Sequence, residues 1–553
     1  MPAATGVAVD IPDEAGRLSA MTHPLAPAAR AVPGDQGRRP LALAAVCTLL
    51  FLTFLDNTVV SVALGDIQES LHAGVQSLQW IVNGYALVFA SMMLAAGALG
   101  DKLGHRKVML CGAVVFCGGS VVCALAPTPG VLIAGRAVMG LGAAASEPGT
   151  LAMLRHLYPE HRERARATGV WAAVSALALA FGPVIGGTIL GVGSWRGIFW
   201  FNLFFGALAL GVGAAVLPET TRTRGRRLDV LGTALGAVAL ATLVFAVIEG
   251  ETAGYTSSEV LSLFAVAVVT GVGFVWRQRT APAPVLDLRY VRAPAFSTSN
   301  LVAFAAYFGT FAIFFFCALY LRVVVGQSGY RIAAQFVPMM VAMIAASLLS
   351  GRWTANAGPR RPMIVGCVVF AVGLVLTDLA VNPTPAYLPL AAALVIAGAG
   401  IGITVVPTTF AATSAVPLER AGMASSAVNT SREIGAVAGT AVLGAIVNAS
   451  LTTHLVARLQ ELGIPPFFQG VVIRGVQEGG LAVGAVSVHK QKPGALTDLE
   501  NKVLDAVYGA FSSGLHVCLL LSAVIVLVAG AVAAVVMPAG QAEQIGELAV
   551  QTE

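Results

Sequence analysis

Apolar runs of about twenty residues follow one another almost from end to end of this chain, separated by short polar stretches. An α-helix rises about 1.5 Å per residue, so each run is long enough to cross a bilayer core of roughly 30 Å. Inside lipid every backbone N–H and C=O must be bonded within the protein, and for segments of this length the α-helix does that. Composition agrees: 11% of the chain is charged and mean hydropathy is +0.82, whereas a water-soluble globule has about 25% charged residues. The expected fold is an all-α polytopic membrane protein. Fourteen spanning helices are expected at 41–63, 78–99, 107–126, 130–154, 167–190, 197–217, 229–249, 259–277, 295–321, 330–350, 361–381, 387–412, 423–448 and 513–537. Residues 1–40, rich in Ala and Pro, and residues 538–553 are expected to be cytoplasmic tails, the first disordered. The 450–512 segment is too polar to span and is expected outside, as a small cap or lying at the lipid surface.

The loops carry a second constraint. Gly97-Ala-Leu-Gly100-Asp101-Lys102-Leu-Gly104-His105-Arg106-Lys107 lies between two apolar runs, and Gly351-Arg352-Trp-Thr-Ala355-Asn-Ala-Gly358-Pro-Arg360-Arg361 repeats its frame 254 positions later. Gly169, Gly182 and Gly186 recur as Gly422, Gly435 and Gly439, each 253 positions on. Two sets at nearly one offset indicate an internal duplication, the mark of transporter halves related by an axis along the membrane normal. Six helices with short loops occupy less than this offset. Residues 41–217 and 295–537 are therefore read as two six-helix bundles, with two helices inserted between them in 218–294. Most of the chain's 33 Lys and Arg fall in alternate loops, including Arg38, Arg39, Arg155, Arg162, Arg164, Arg222, Arg360 and Arg361. That bias places those loops and both termini in the cytoplasm. Prevalent Arg, Ala, Gly and Val hint at a GC-rich bacterial genome and hence a bacterial cell membrane. All seven cysteines sit inside apolar runs, where they act as small hydrophobes; neither a disulfide framework nor a metal site is suggested.

Charges within the runs are the most informative residues, because one at the bilayer centre costs at least about 2.5–3.5 kcal/mol unless paired or wet. Asp56 falls roughly 22 Å along the first helix from its inner end, and Arg136 roughly 9 Å down the fourth from its outer end. On a span of about 30 Å these are similar depths, so the two can meet. Glu433 and Arg432 lie near mid-membrane in the thirteenth helix, and adjacent helical residues point about 100° apart, so these two need not pair with each other.

Several motifs now stand in order: Leu55-Asp56-Asn57-Thr58 in helix 1, the loop at Gly97, Arg136 with Gly140-Leu-Gly142 in helix 4, Gly182-Pro183-Val-Ile-Gly186-Gly187 in helix 5, and Trp195-Arg196-Gly-Ile-Phe199-Trp-Phe-Asn202 at helix 6. In this order the chain resembles the major facilitator superfamily, and within it the fourteen-helix drug–proton antiporters, over roughly 41–448 and 511–537. The resemblance implies the major facilitator fold. It also implies that Asp56 and Arg136 take part in proton coupling, with Asp56 taking and releasing the proton; the alternative is a permanent structural ion pair. Gly97, Asp101, Gly104, Arg106 and Lys107 match the family's gating loop. Asp101 and the basic pair can make charge-assisted contacts across neighbouring helix ends, though a plain topology anchor would look the same. Gly182, Pro183, Gly186 and Gly187 match the antiport motif. Proline removes a helix hydrogen bond and glycine permits close approach, a natural hinge; ordinary glycine packing is the other reading.

Three positions depart from the family pattern. Glu147 stands before Pro148 where a small or apolar residue is usual, Glu433 replaces a common glutamine, and Met139 replaces a glutamine three residues after Arg136. Glu433 is read as a second titratable carboxylate or cation site. One charge moving through about 150 mV is worth roughly 3.5 kcal/mol. Exchange of a monovalent cation for one proton gains nothing from that voltage, so a second proton at Glu433 would allow concentrative cation export. Tyr307, Phe311 and Phe314 share a helix face at helical spacing and, with Glu147 and Arg432, are the candidates for lining a substrate cavity; lipid-facing or packing aromatics are the alternative. No Gly-x-x-x-x-Gly-Lys-Ser/Thr run, metal-ligand cluster or nucleophile elbow occurs, so ATP-driven transport and catalysis are not expected.

The expectation is a proton-coupled antiporter, not an enzyme and without a cofactor, driven by the proton gradient. It would export amphiphilic small molecules, antibiotics or other toxic compounds, from the cytoplasm or inner leaflet. Export of a lipid or metabolite is the alternative within transport, and a non-pumping sensor or scaffold is the alternative outside it. Expected partners are the small-molecule substrate, protons and membrane lipids, with no nucleic acid, and the chain is expected to act as a monomer.

Overall fold

The computed structural model describes residues 38–73, 75–220, 229–323, 325, 327, 329–382, 385–461 and 495–537. The tails at 1–37 and 538–553 and the middle of the polar segment, 462–494, lie outside the described residues.

The first group of helices is α1 (Arg39–Val62), a short α2 (Leu64–Leu71), α3 (Val75–Leu103), α4 (His105–Ala124), α5 (Pro129–Leu157), α6 (His161–Val192) and α7 (Arg196–Val216). Next come α8 (Val230–Ala253) and α9 (Ser258–Thr280), and a single turn, α10 (Leu288–Val291). The last group is α11 (Pro294–Phe311), α12 (Ala318–Val323), α13 (Gly329–Ala357), α14 (Arg360–Ala380), α15 (Tyr387–Ser414), α16 (Ala421–Glu461) and α17 (Ala495–Val536). Local chemistry marks several boundaries. Thr128 caps α5 through a bond from Val131 N, with Pro129 in the first turn, and Asp229 caps α8 through one from Gly232 N at 3.0 Å. Gly104 separates α3 from α4 at φ +99°, and Gly358 separates α13 from α14 at φ +73°. These are equivalent positions of the two repeated loops, and both need a backbone that L side chains rarely adopt.

Within the first group α1 packs on α6 and α7, α3 on α5, and α4 on α5 and α7; within the last, α11 packs on α16 and α17, α13 on α15, and α14 on α15 and α17. The inserted pair α8–α9 packs on itself, and α8 leans on α3. Much of α9 is exposed and apolar, including Val266, Val268, Val269, Val272 and Trp276, as a lipid-facing helix should be. The two bundles meet where α6 packs on α13 and α3 on α16. Both crossings use the duplicated glycines. A side-chain carbon placed on Gly351 would stand 3.1 Å from Gly169 Cα, and one on Gly422 would stand 2.6 Å from Gly97 O. The repeat in the sequence is thus a pair of quasi-equivalent helix crossings in space.

Among the described residues thirteen helices are long and apolar enough to span a membrane. The remaining expected span, 423–448, is α16, which is long but carries Ser425, Ser426, Asn429, Thr430 and Arg432, all buried. One expectation needs correction. The span expected at 513–537 is found at Tyr508–Val536, but the helices run further than the spans: α16 continues to Glu461 and α17 begins at Ala495, so both extend into the 450–512 segment expected as a small cap or lying at the lipid surface. The span expected at 295–321 is found at Pro294–Leu321, with one irregularity. A π-helical turn, Ala312–Cys317, joins α11 to α12. It changes the register, so Phe314 leaves the face of Tyr307 and stacks on Phe336 of α13 at 5.5 Å.

Candidate functional site

Asp56 of α1 and Arg136 of α5 meet in an ion pair sealed inside the first bundle, with 0% and 1% of their side chains exposed. The arginine is held in place from two further sides: Nε donates to Ile81 O at 2.9 Å, and the guanidinium lies 4.5 Å from the Tyr85 ring centre. Tyr85 in turn donates to Thr53 O. The second carboxylate oxygen of Asp56 accepts from Asn202 Nδ2 of α7 at 2.7 Å. Both oxygens therefore act as acceptors, the arrangement of an ionised carboxylate. The sequence marked Asn202 only as the end of the Trp195–Asn202 motif and gave it no role, although a signal existed: it is the one strongly polar side chain in the run from Phe199 to Val216. Met139, where the family has glutamine, is fully buried beside the Cys123 thiol; the amide next to Asp56 comes from α7 instead.

At the end of the bundles that carries most of the basic loops, two helix termini are each bound by a charge from the opposite bundle. Asp101 of α3 accepts Gly422 N at 2.8 Å and Met423 N at 3.0 Å, the unpaired amides at the start of α16. Arg155 of α5 donates to Thr413 O, Val416 O and Pro417 O at the end of α15, and Arg164 of α6 donates to Ser414 Oγ at 3.0 Å. Carboxylate at a helix start and guanidinium at a helix end both complement the helix dipole. The contacts expected of the loop thus differ in kind. Asp101 crosses to backbone amides of the other bundle and, within its own, pairs with His105 Nε2 of α4 at 3.1 Å; Arg106 is tied to Ala214 O within its own bundle, and Lys107 is exposed. The reason is geometric, since helix starts present free N–H groups where no basic side chain reaches. Gly97 lies in the same crossing, where an added carbon would stand 2.5 Å from Gly422 O. Arg155 was counted in the sequence only as a topology charge.

Glycines of the antiport motif bring α6 against α1 beside Asp56. An added carbon on Gly182 would stand 3.1 Å from Val59 N, and one on Gly186 3.1 Å from Val59 O, whereas Gly187 faces open space. The helix runs unbroken through this stretch; the side chain of Pro183 lies outside the described residues. Their repeats do the same work in the second bundle, where an added carbon on Gly439 would stand 3.0 Å from Phe308 O of α11.

Between the bundles lies a second polar group. Arg432 donates to Asn429 Oδ1 at 2.8 Å and to Thr409 Oγ1, with its guanidinium 5.6 Å from the Trp171 ring and 5.5 Å from the Tyr307 ring. Glu147 and Glu433 are within electrostatic reach of Arg432 and of each other, and no ion pair joins them among the described residues. Glu433 is therefore in a different group from Asp56. Tyr85, which stacks on Arg136, is also within electrostatic reach of Glu147 and Glu433. Of the expected cavity aromatics Tyr307 faces Arg432, Phe311 approaches Gly439, and Phe314 packs on Phe336.

Two quasi-equivalent bundles latched at one end, with a buried ion pair inside one of them, have the architecture of a membrane transporter. The chain belongs to the Major Facilitator Superfamily, whose family profile matches residues 46–440. It is similar to the multidrug resistance protein Stp of Mycobacterium tuberculosis, 34% identical over 76% of this chain and 78% of that one. It is also similar to the tetracenomycin C resistance and export protein of Streptomyces glaucescens, 29% identical over 93% and 95%. The solved proton:xylose symporter XylE shares the fold, with a TM-score of 0.59 over 93% of this chain and 99% of that chain, at 12% identity.

Proposed function

We propose that this chain is a proton-coupled antiporter that exports amphiphilic small molecules, antibiotics or other toxic compounds among them, from the cytoplasm or inner leaflet. The observation that carries the reading is the Asp56–Arg136–Asn202 group, a carboxylate shut inside one bundle beside the helix pair whose crossing must move. The names of the relatives support the choice of cargo. The latched end, rich in basic loops, is the cytoplasmic end, both termini are cytoplasmic, and the protein resides in a bacterial cell membrane. The cycle needs no cofactor and catalyses no covalent step, and a single chain suffices, with cargo, protons and lipid as its partners. In the latched state a proton from outside reaches Asp56 and releases Arg136. The first bundle then rocks, Asp101 and Arg155 let go of α16 and α15, and cargo enters from inside as the proton leaves. Glu433 carries a second proton when the cargo is a cation.

A resistance and accumulation screen in a susceptible host, followed by reconstitution in vesicles, tests this directly. Asp56→Asn is expected to abolish uphill export while sparing downhill exchange. Undiminished uphill pumping by that variant, or export by the wild type with no accompanying proton flux, would exclude the proposed coupling.

A further inference from the structure

The two inserted helices contribute to neither polar group, yet they are fastened to both bundles. α8 packs on α3 of the first bundle and on α16 of the second, over the seam where those two helices cross. Its half away from the latch is the seated half: Leu240, Val244, Ala246 and Val247 are buried, and the Phe245 ring lies 5.3 Å from that of Trp80 on α3. Nearer the latch, Val230, Leu231 and Val238 are exposed. α9 returns to the latched end, where Arg277 Nε donates to Asp229 Oδ1 at 2.9 Å and closes the hairpin. Gln278 is buried there, and its Oε1 accepts Leu286 N at 3.0 Å, pinning the chain that leaves the hairpin. That chain ends on the start of α16. Asp287, itself buried, forms an ion pair at 3.5 Å with Arg420 in the short turn before α16, and Asp287 N donates to Met423 Sδ at 3.4 Å. Arg420 Nη1 is buried with no hydrogen-bond partner among the described residues. Met423 is also one of the two residues whose amides bind Asp101.

The hairpin therefore has two grips, one on each side of the α3–α16 crossing. Phe245 holds α3 at a point roughly 24 Å along α8 from Asp229 at 1.5 Å per residue, and the strap at 281–287 holds the start of α16. Both grips are made while α3 and α16 stand together at the latched end. Parting those ends strains or breaks one of them, and a contact shifts a two-state equilibrium only where the two states differ in it. We propose that the inserted pair is a brace that favours the latched state, with Asp287 and Arg420 as positioning residues that set the first turn of α16 for Asp101. The brace rests on the rocking in the export reading above, but on neither its proton nor its cargo.

Purified full-length protein, labelled at the adjoining ends of α5 and α15, gives the ratio of latched to open molecules from spin-label distances, with no cargo present. Asp287→Asn and Arg420→Gln are each expected to lower that ratio about fivefold, the scale of one partly buried ion pair. Phe245→Ala cuts the other grip and is expected to lower it by a similar factor. The two grips act in series, so Asp287→Asn combined with Phe245→Ala should fall no lower than either alone, whereas independent sites this far apart would multiply their effects. Thermal unfolding is followed for every variant. An unchanged ratio in either Asp287→Asn or Arg420→Gln, even with a lowered unfolding temperature, assigns the strap to the fold alone and overturns the brace. Effects that multiply in the double variant overturn it as well. Export is read apart, in vesicles under an imposed proton gradient. The expected distance shifts without proton-linked export would sink the export reading and leave the brace standing.

Discussion

Asp56 is closed off by one partner of each kind, a guanidinium on one oxygen and an amide on the other. A buried pair of this sort is weak evidence for stability, because desolvation offsets much of its attraction, but removing one member leaves an uncompensated charge and costs about 3–5 kcal/mol. Arg136→Met should therefore unfold in detergent at lower denaturant than wild type by roughly that amount, whereas Asp56→Asn combined with Arg136→Met should recover part of the loss. A double variant no more stable than Arg136→Met would refute the pairing. Asn202 Nδ2 donates to the carboxylate, and its Oδ1 has no hydrogen-bond partner among the described residues, so a turned amide would present an acceptor to Asp56 instead. Asn202→Leu is expected to lose about 1–3 kcal/mol of stability and to slow uphill transport more than downhill exchange in vesicles; equal slowing would remove Asn202 from the coupling group. The sequence made Asp56 and Arg136 legible because charges in apolar runs demand a partner. Asn202 was harder to see because a neutral amide is tolerated in lipid-facing helices, and only the fold shows which carboxylate it meets.

Helix ends explain why the latch was only half legible. The loop at Gly97 was found by its repeat, but its partners are main-chain groups, which no residue pattern reveals. Arg155 binds the end of α15 through three carbonyls. Arg155→Gln should weaken the latched state, and spin labels at the adjoining ends of α5 and α15 should report a larger population at long separation than in wild type. An unchanged distance distribution would show that the latch does not depend on this residue. The π turn at Ala312–Cys317 was equally invisible, because five aromatic or aliphatic residues in a row fit either helix type. Spans were read well wherever apolar residues ran continuously for twenty positions. The same logic misjudged α16 and α17 past the expected membrane edge, where helix persists after the apolar run has ended.

Taken whole, the molecule is two copies of one bundle whose crossings are alike in backbone and unlike in charge. The crossing of α3 and α16 has Asp101 and is tight, since a carbon on Gly97 would stand 2.6 Å from Ser426 Cβ. The crossing of α6 and α13 has Ala355 in the repeated loop, and a carbon on Gly351 would meet Ala165 O at 2.9 Å. Gly97→Ala should therefore open the latched end further and depress transport more than Gly351→Ala, as label distances and vesicle assays would show; equal effects would mean that the two crossings share the load. The polar face of α16 that makes the first crossing also has consequences before the protein is finished. Ser425, Ser426 and Arg432 meet Pro148, Gly97 and Thr409 on helices made earlier in synthesis, and a lone arginine at mid-bilayer disfavours insertion by about 2.5–3.5 kcal/mol. The nascent chain is thus expected to keep α16 waiting beside the insertion machinery until α3, α5 and α11 receive it, and a fragment consisting of α16 alone should slip out of the lipid.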